Sequence, residues 1–407
     1  MDEGLLIVGK DQIFSMDCFK TQLNNNVLVV GASGTGKTRS VVEPNLLQAT
    51  GSYIVSDPKG LLYKKYRKYF EQKGYDVKLL DFKQPEKSSH YNFFNYIHSD
   101  NDIVRIAHVL ICQQGIHSHI DPFWDEASKL LLQAIISYLI ENNKEEKKNL
   151  QSLFEVLSCV TPEKDSVPNM SKIDSLIKNH KEVFGDTFAV KTYEKFRIAA
   201  DRTLRSILIT VNARLGTFDT PSLNTLMSTD DIDFVSFGKN KTILFVVVSD
   251  TDRSLDGLVN IFYTQAMQEL CNFADKECEE GRLPILVRFI LDDFATNCKI
   301  MDFPRMISSF RSRGISAMIL LQAESQLEEQ YKADGRTIIA NCDTYLYLGG
   351  NDVDTAKAVA ERCDVPLKKI LKMPVGRNWL FRRGQEPIYG QNFDLESYYK
   401  EKMKEIN

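Results

Sequence analysis

Short runs rich in Val, Ile, Leu and Tyr punctuate the chain: Val27 to Val30, Tyr53 to Ser56, Val77 to Asp81, Ile243 to Ser249, Leu286 to Asp292, Ala317 to Gln322, Tyr345 to Leu348 and Trp379 to Arg382. Their apolar character is near-continuous instead of alternating, as in strands covered on both faces. The pattern predicts an α/β fold with a parallel or mostly parallel sheet.

Between about Ser99 and Phe218 the period changes. Ile103 to Ile111, Trp124 to Ile140, Leu150 to Leu157 and Val190 to Leu215 carry helical spacing, and strand signals fade. Polar segments at Asn142 to Asn149 and Thr161 to Ser171, the second holding Pro162 and Pro168, read as loops. An all-α domain inserted into the α/β domain follows. The expected divisions are the α/β domain in two parts, 1–98 and 219–392, the insertion over 99–218, and a short charged helix or tail over 393–407.

Composition narrows the picture without redrawing it. A chain of 407 residues is long enough for two sizeable cores, and 43% hydrophobic with 26% charged residues excludes extensive disorder. A formal charge of -4 excludes a strongly basic, histone-like binder and leaves room for a local basic channel in an assembled ring. The eight cysteines include no Cys-x-x-Cys pair, which points to reduced thiols in the cytosol. No apolar run approaches the roughly 18 residues that span a bilayer. The nearest, Leu130 to Ile140, contains Gln133 and Ser137 and reads as a buried helix. Met1-Asp2-Glu3-Gly4 has neither a basic leader nor a cleavage site, so the polypeptide is not expected to be a membrane protein itself.

The first predicted strand runs directly into Gly31-Ala32-Ser33-Gly34-Thr35-Gly36-Lys37-Thr38, which satisfies the pattern G-x-x-x-x-G-K-[ST] ahead of a helix-compatible stretch. Glycines at 31, 34 and 36 let backbone amides curl around phosphate oxygens, and the helix N-terminus adds a favourable dipole. Lys37 is expected to pair with the β and γ phosphates of ATP, and the Thr38 hydroxyl to bind Mg²⁺. Pro44 should kink the following helix or end it early. The chain thus reads as a P-loop ATPase.

A carboxylate must steady the metal, and the run Leu286 to Asp293 supplies an apolar strand ending in two. Asp292 fits the Walker B position, and Asp293 is placed to polarise the attacking water. Asp293 is one methylene shorter than the Glu common at this place, which points to slow or conditional hydrolysis. Gln322, at the end of the next strand, can hydrogen-bond to the γ phosphate or the lytic water. Arg311 and Arg313 precede that strand as candidates for an arginine finger acting on a neighbour's nucleotide, solvated surface arginines being the plainer alternative.

Together with Asp57-Pro58-Lys59-Gly60, Asp121-Pro122-Phe123-Trp124-Asp125-Glu126-Ala127, Ile339-Ala340-Asn341-Cys342-Asp343-Thr344 and Gly349-Gly350-Asn351-Asp352, these residues resemble the type IV secretion coupling proteins, the ring ATPases of bacterial conjugation. The resemblance covers nearly the whole chain. It implies a RecA-like nucleotide-binding domain with an inserted all-α domain, and a homo-hexamer at the inner membrane with ATP between subunits. It further implies DNA or a relaxase-DNA complex as substrate, and components of the type IV secretion channel as partners. Carried over residue by residue, Lys37, Thr38 and Asp292 match nucleotide and metal residues, Gln322 the γ-phosphate sensor, and Arg311 the residue supplied in trans. Family members commonly begin with transmembrane helices. The expectation here is a cytoplasmic chain at the inner face of the bacterial inner membrane, held there by a segment outside this sequence or by a separate partner.

Weaker signals remain. Lys191, Lys195, Arg197, Arg202, Arg205 and Arg214 on one expected helix offer a surface for phosphate backbone, although such a run is more often a solvated face. His108, His117 and His119 lack the spacing of a metal site. Trp124 is expected in the helical core. Two other functional classes stay open: a nucleotide-gated docking module for protein substrates with slight turnover, and a double-stranded DNA translocase of the FtsK or HerA kind. The length of the helical stretch counts against the second.

Overall fold

The computed structural model describes residues 4–112, 122–142, 148–159, 171–198, 201–294 and 299–405. The chain divides into two compact units. One comprises Met1–Lys83, Asp233–Thr251 and Ala266–Asn407, and the other Gln84–Ile232 and Asp252–Gln265.

The first unit opens with a small antiparallel hairpin, β1 (Leu5–Gly9) and β2 (Gln12–Ser15). Its main sheet contains β3 (Val27–Val30), β4 (Ser52–Ser56), β5 (Asp76–Asp81), β6 (Thr242–Val247), β7 (Val287–Leu291), β8 (Ile315–Leu321), β9 (Thr344–Tyr347), β10 (Arg377–Arg382) and β11 (Ile388–Gln391), in the order β11-β10-β9-β3-β8-β7-β4-β6-β5. The strands from β9 to β5 in that order are parallel, and β10 and β11 extend the sheet antiparallel.

Every residue of β3, β4, β6, β7, β8 and β9 is buried, which is why these segments read as near-continuous apolar runs, with Arg288 in β7 the charged exception. The edge strands differ. In β5, Asp76, Lys78 and Asp81 face partly outward, charges that discourage pairing with another sheet, and β11 is exposed along most of its length. One side of the core joins Val27, Val29, Val41, Leu46, Tyr66, Phe70, Phe245 and Leu320. The C-terminal helix Leu395–Lys404 belongs to this unit: Leu395 is buried in that core, and Tyr398, Tyr399 and Met403 pack against it.

β3 sits near the middle of the sheet, yet its chain neighbour β4 lies beyond β8 and β7. Ligands of open α/β sheets bind outside the carboxyl ends of the strands where the chain order breaks in this way. Val30 stands beside Leu321 and Tyr347, and Leu291 beside Ile319. Gly31, Gln322, Leu348 and Asp292 therefore emerge along one edge.

Among the described residues the second unit is helical. Pro122–Glu141 runs through it, flanked by Asp100–Ile111, Leu150–Ser158, Phe188–Arg197 and Asp201–Leu215. The Leu130 to Ile140 run is buried as expected, with Leu131, Leu132, Ile135, Ile136 and Leu139 at 2% exposure or less. Glu141 is satisfied from several sides: the Ser137 hydroxyl and the Ala189 N–H donate to it, and His180 Nε2 lies 2.8 Å away.

Several expectations need correction here. The helix read from Val190 to Leu215 is two helices, Phe188–Arg197 and Asp201–Leu215. Its basic stripe is broken as well: Arg214 is buried 3.6 Å from Asp125, and Arg197 lies 3.2 Å from Asp174. Trp124 is only half-buried, packed edge-on against the exposed Phe123 at 5.1 Å. A helix over Ser171–Phe184, with Ile173 and Ile177 buried, begins where a loop was expected to end. His117, His119, Asp121, Pro162, Pro168, Cys298 and the side chain of Arg202 lie outside the described residues. Among the described residues, no helix is long and apolar enough to cross a membrane.

Candidate functional site

The carboxyl edge of the sheet is built by β3 and its neighbours. After Val30 the chain turns through the glycine loop, with Gly31 N–H donating to Leu321 O at 3.0 Å and Ala32 N–H to Gly349 O at 2.9 Å. A Cβ on Gly31 would come within 2.6 Å of the Thr35 hydroxyl and 2.9 Å of Leu348 Cβ, so this position admits no side chain without a shift. Gly34 and Gly36 take φ of +80° and +89°, values that L side chains rarely adopt. The Thr35 hydroxyl donates back to Ala32 O at 2.8 Å and closes the loop on itself. Ser33 and Gly34 stand exposed at its tip.

Thr38 begins a wide helical turn over Thr38–Val42, and an α-turn over Glu43–Leu46 follows. Pro44 has no N–H to continue the regular ladder, and the helix stops within a few residues, as the sequence implied. Asn45 fills the gap: its amide donates to Val41 O and Ile7 O at 2.7 Å, and its oxygen accepts from Ile7 N–H at 3.1 Å. The β1–β2 hairpin is thereby tied to the helix that carries Lys37 and Thr38.

Lys37 is 9% exposed and donates from Nζ to Gly31 O at 2.7 Å and Ala32 O at 3.3 Å. Burial holds its pKa below the ordinary lysine range, opposed by the Asp293 and Asp292 carboxylates. Thr38 Oγ1 donates to Asp292 Oδ2 at 2.8 Å. Asp292 is buried, which raises its pKa against the pull of the Thr38 hydrogen bond and of Lys37. The Ser56 hydroxyl holds its carbonyl at 3.2 Å, and its Oδ1 accepts the Asp293 N–H at 3.1 Å. Asp293 turns away from the strand with φ +49° and is partly exposed.

Gln322 follows β8, the strand between β3 and β7, so it stands between the glycine loop and the acidic pair. Its backbone N–H is held by Gln326 Oε1 at 2.9 Å, and the residue is exposed at the edge. Lys37, Thr38, Asp292, Asp293 and Gln322 thus gather at one end of the sheet.

Arg311 does not join them. It lies in Phe310–Arg313, before the amino end of β8, and seven strand residues at about 3.3 Å each put it roughly 20 Å from Gln322. Its Nη2 donates to Cys18 O at 3.0 Å. Arg313 is committed to Asp275 at 2.7 Å and to Ser309 O at 2.9 Å.

The remaining motifs brace the sheet at both edges. Asp57 caps the helix Leu61–Gln72, accepting from Leu61 N–H at 3.0 Å and Tyr63 N–H at 2.9 Å. Asp343 accepts from Asn24 N–H at 2.6 Å, and Asn341 O from Asn26 Nδ2 at 2.9 Å, which fixes the entry to β3. Sequence reading missed Asn392. Its Nδ2 donates to Thr35 O at 3.2 Å across a separation of 357 residues, and no local pattern marks it.

The donor set at the loop fits a magnesium ion. One hydroxyl and one carboxylate, in contact at 2.8 Å, suit a cation that keeps most of its coordination for water and phosphate oxygens. Among the described residues no group of three or more His, Cys, Asp or Glu is arranged to hold a metal.

Strand order, glycine loop and helical unit define a RecA-like α/β fold carrying an additional all-α unit. The chain belongs to the family described as Type IV secretory system Conjugative DNA transfer, whose model matches residues 4–364. Over 382 residues it is 20% identical to the type IV secretion system-coupling protein VirD4 of Bartonella henselae, covering 90% of this chain and 57% of that protein. It therefore spans little more than half the length of that relative. Its fold matches the unbound bacterial conjugative coupling protein TrwB with a TM-score of 0.67 at 18% identity, over 91% of this chain and 85% of that one. The plasmid coupling protein TrwB in complex with ADP and Mg²⁺ gives a TM-score of 0.66 at 18% identity, over 91% and 86%.

Proposed function

We propose that this chain is a coupling ATPase, which binds ATP with Mg²⁺ at its glycine loop and hydrolyses it to recruit or move DNA, or a relaxase-DNA complex, at a type IV secretion channel. The observation that carries the reading is the Thr38–Asp292 hydrogen bond, which joins the end of the glycine loop to the end of β7 with Gln322 on the strand between. In this reading the backbone amides from Gly31 to Thr38, with Lys37, hold the phosphates. Thr38 and Asp292 hold the magnesium ion, which when bound neutralises charge on the phosphate oxygens. Asp293 takes the proton of the attacking water, and Gln322 orients that water or the γ phosphate.

Arg311 completes the site from a neighbouring copy. Its place at the opposite end of β8 from Gln322 supports action in trans, since in its own subunit it is far from the glycine loop. A homo-hexamer at the cytoplasmic face of the inner membrane is the assembly this implies, anchored by a segment outside this sequence or by a separate membrane partner.

ATPase assays with single- and double-stranded DNA across protein concentrations test the proposal. Turnover should rise with DNA and with concentration and collapse in Lys37→Ala. Concentration-independent turnover in a monomer, unaffected by Arg311→Ala, would contradict it. A nucleotide-gated docking module is the second reading, favoured by the short arm of Asp293. Nucleotide-dependent capture of a protein substrate with no turnover would select it.

A further inference from the structure

β7 carries one residue that its pattern does not explain. In Val-Arg-Phe-Ile-Leu, Arg288 is charged, 7% exposed, and sits at the amino end of the strand that delivers Asp292 at the other. Its guanidinium lies against Met16 Sδ, with Asn45 Oδ1 at 3.5 Å, a weak contact for so strong a donor. Among the described residues no carboxylate pairs with it. A buried cation without an anion is costly to keep, and truncating it to an apolar residue is often the more stable solution.

Arg288 lines a cavity at the amino edge of the sheet that encloses about 20 Å³ and opens to solvent. Arg311 and Arg282 line it too, Arg282 donating from Nη1 to Arg311 O at 3.1 Å. Ser316, buried and paired in register with Arg288 across β7 and β8, brings a hydroxyl to the same cavity. No acidic side chain contributes to the lining. The enclosed space suits about one water-sized oxygen, so an entering anion seats one oxygen inside while its body stays at the mouth. Three guanidiniums match the spread charge of a phosphoryl group better than the single charge of a carboxylate.

We propose that Arg288 and Ser316, with Arg311 and Arg282 around them, form an oxyanion site for a phosphoryl group at the sheet edge opposite the glycine loop. The anion is either free phosphate or the terminal phosphoryl of a larger molecule such as a nucleotide. Calorimetric titration of the full chain in a Lys37→Ala background, which disables the glycine loop, separates the two sources, with inorganic phosphate in one arm and ATP in the other. Binding should persist in Lys37→Ala and weaken about tenfold or more when Arg288→Met is added, as loss of a charge-assisted hydrogen bond implies. Heat from phosphate alone identifies the free anion as sufficient, and heat from ATP only identifies a presented terminus; either supports the site. Absence of both, or titrations identical with and without Arg288→Met, overturns it. Should Arg288→Met fail to fold, Arg282→Gln, at a partly exposed position of the same lining and outside the nucleotide site, must produce the same loss, and its failure to do so overturns the proposal equally.

Discussion

The Thr38 hydroxyl donates to Asp292 Oδ2 at 2.8 Å, linking residues 254 positions apart. Both groups are set by short local structures, a helical turn after a glycine loop and the end of a buried strand. Substitution on either side should cut hydrolysis by about 100-fold, in the range seen when a group that organises transition-state charge is removed.

Asp292 also makes a prediction about pH. Burial raises its pKa above the ordinary carboxylate value, so the ionised form is the costly one in the folded chain. Its protonated form contributes stability that is fully present below about pH 4, the unfolded value, and is lost as pH rises through the raised folded value. Asp292→Asn should therefore melt at a higher temperature than the native chain at pH 7, with the gap shrinking toward pH 4, while hydrolysis is lost. Melting curves at the two pH values check both signs.

If Asp293 is the base proposed above, its length sets rate against stability. Lengthening it by one methylene in Asp293→Glu should raise turnover by about tenfold, as a better-placed general base does. The same change should cost about 1 kcal/mol, because the residue sits at φ +49°, where Asp is tolerated better than longer side chains. Single-turnover kinetics and a denaturant melt on the same sample separate the two effects.

Asn392 reaches the glycine loop from the segment after β11 and bonds to Thr35 O at 3.2 Å. Asn392→Ala should loosen the loop by about 1 kcal/mol and raise KM for ATP about fivefold with little change in kcat. Equal loss in kcat would place its role in the chemical step instead.

The buried strands were legible because both faces of β3, β7 and β8 are covered, which leaves largely apolar runs that end at Gly31, Asp292 and Gln322. The glycine loop was legible because its function depends on backbone, and only glycine meets the φ of 34 and 36. The exposed edge strand β11, Ile-Tyr-Gly-Gln, carries no such signature and went unseen, and so did β1, Leu-Leu-Ile-Val-Gly, although it is buried from Leu6 to Gly9. Asn392 and Asn45 were hidden for another reason, since their roles depend on partners far away in sequence. Arg288 did leave a trace, a charge inside an apolar strand, and Arg311 could be assigned no place in its own subunit's site from spacing alone.

Asp57 shows that a family motif can serve the scaffold. It accepts backbone N–H groups at the start of Leu61–Gln72, and Asp57→Ala should cost about 1–2 kcal/mol as a lost helix cap. ATP hydrolysis per folded molecule should stay near the native value. A chemical denaturation series with activity measured at each point distinguishes this from a direct role.

The most direct test of the central claim, a site completed by a second copy, is complementation between two inactive variants. Lys37→Ala lacks a working glycine loop but keeps Arg311, and Arg311→Ala has the reverse defect. ATPase activity measured in mixtures should return where the Arg311 of one variant meets the glycine loop of the other, peaking near equal proportions. A mixture as inactive as its parts, or an Arg311→Ala chain fully active by itself, would contradict the account.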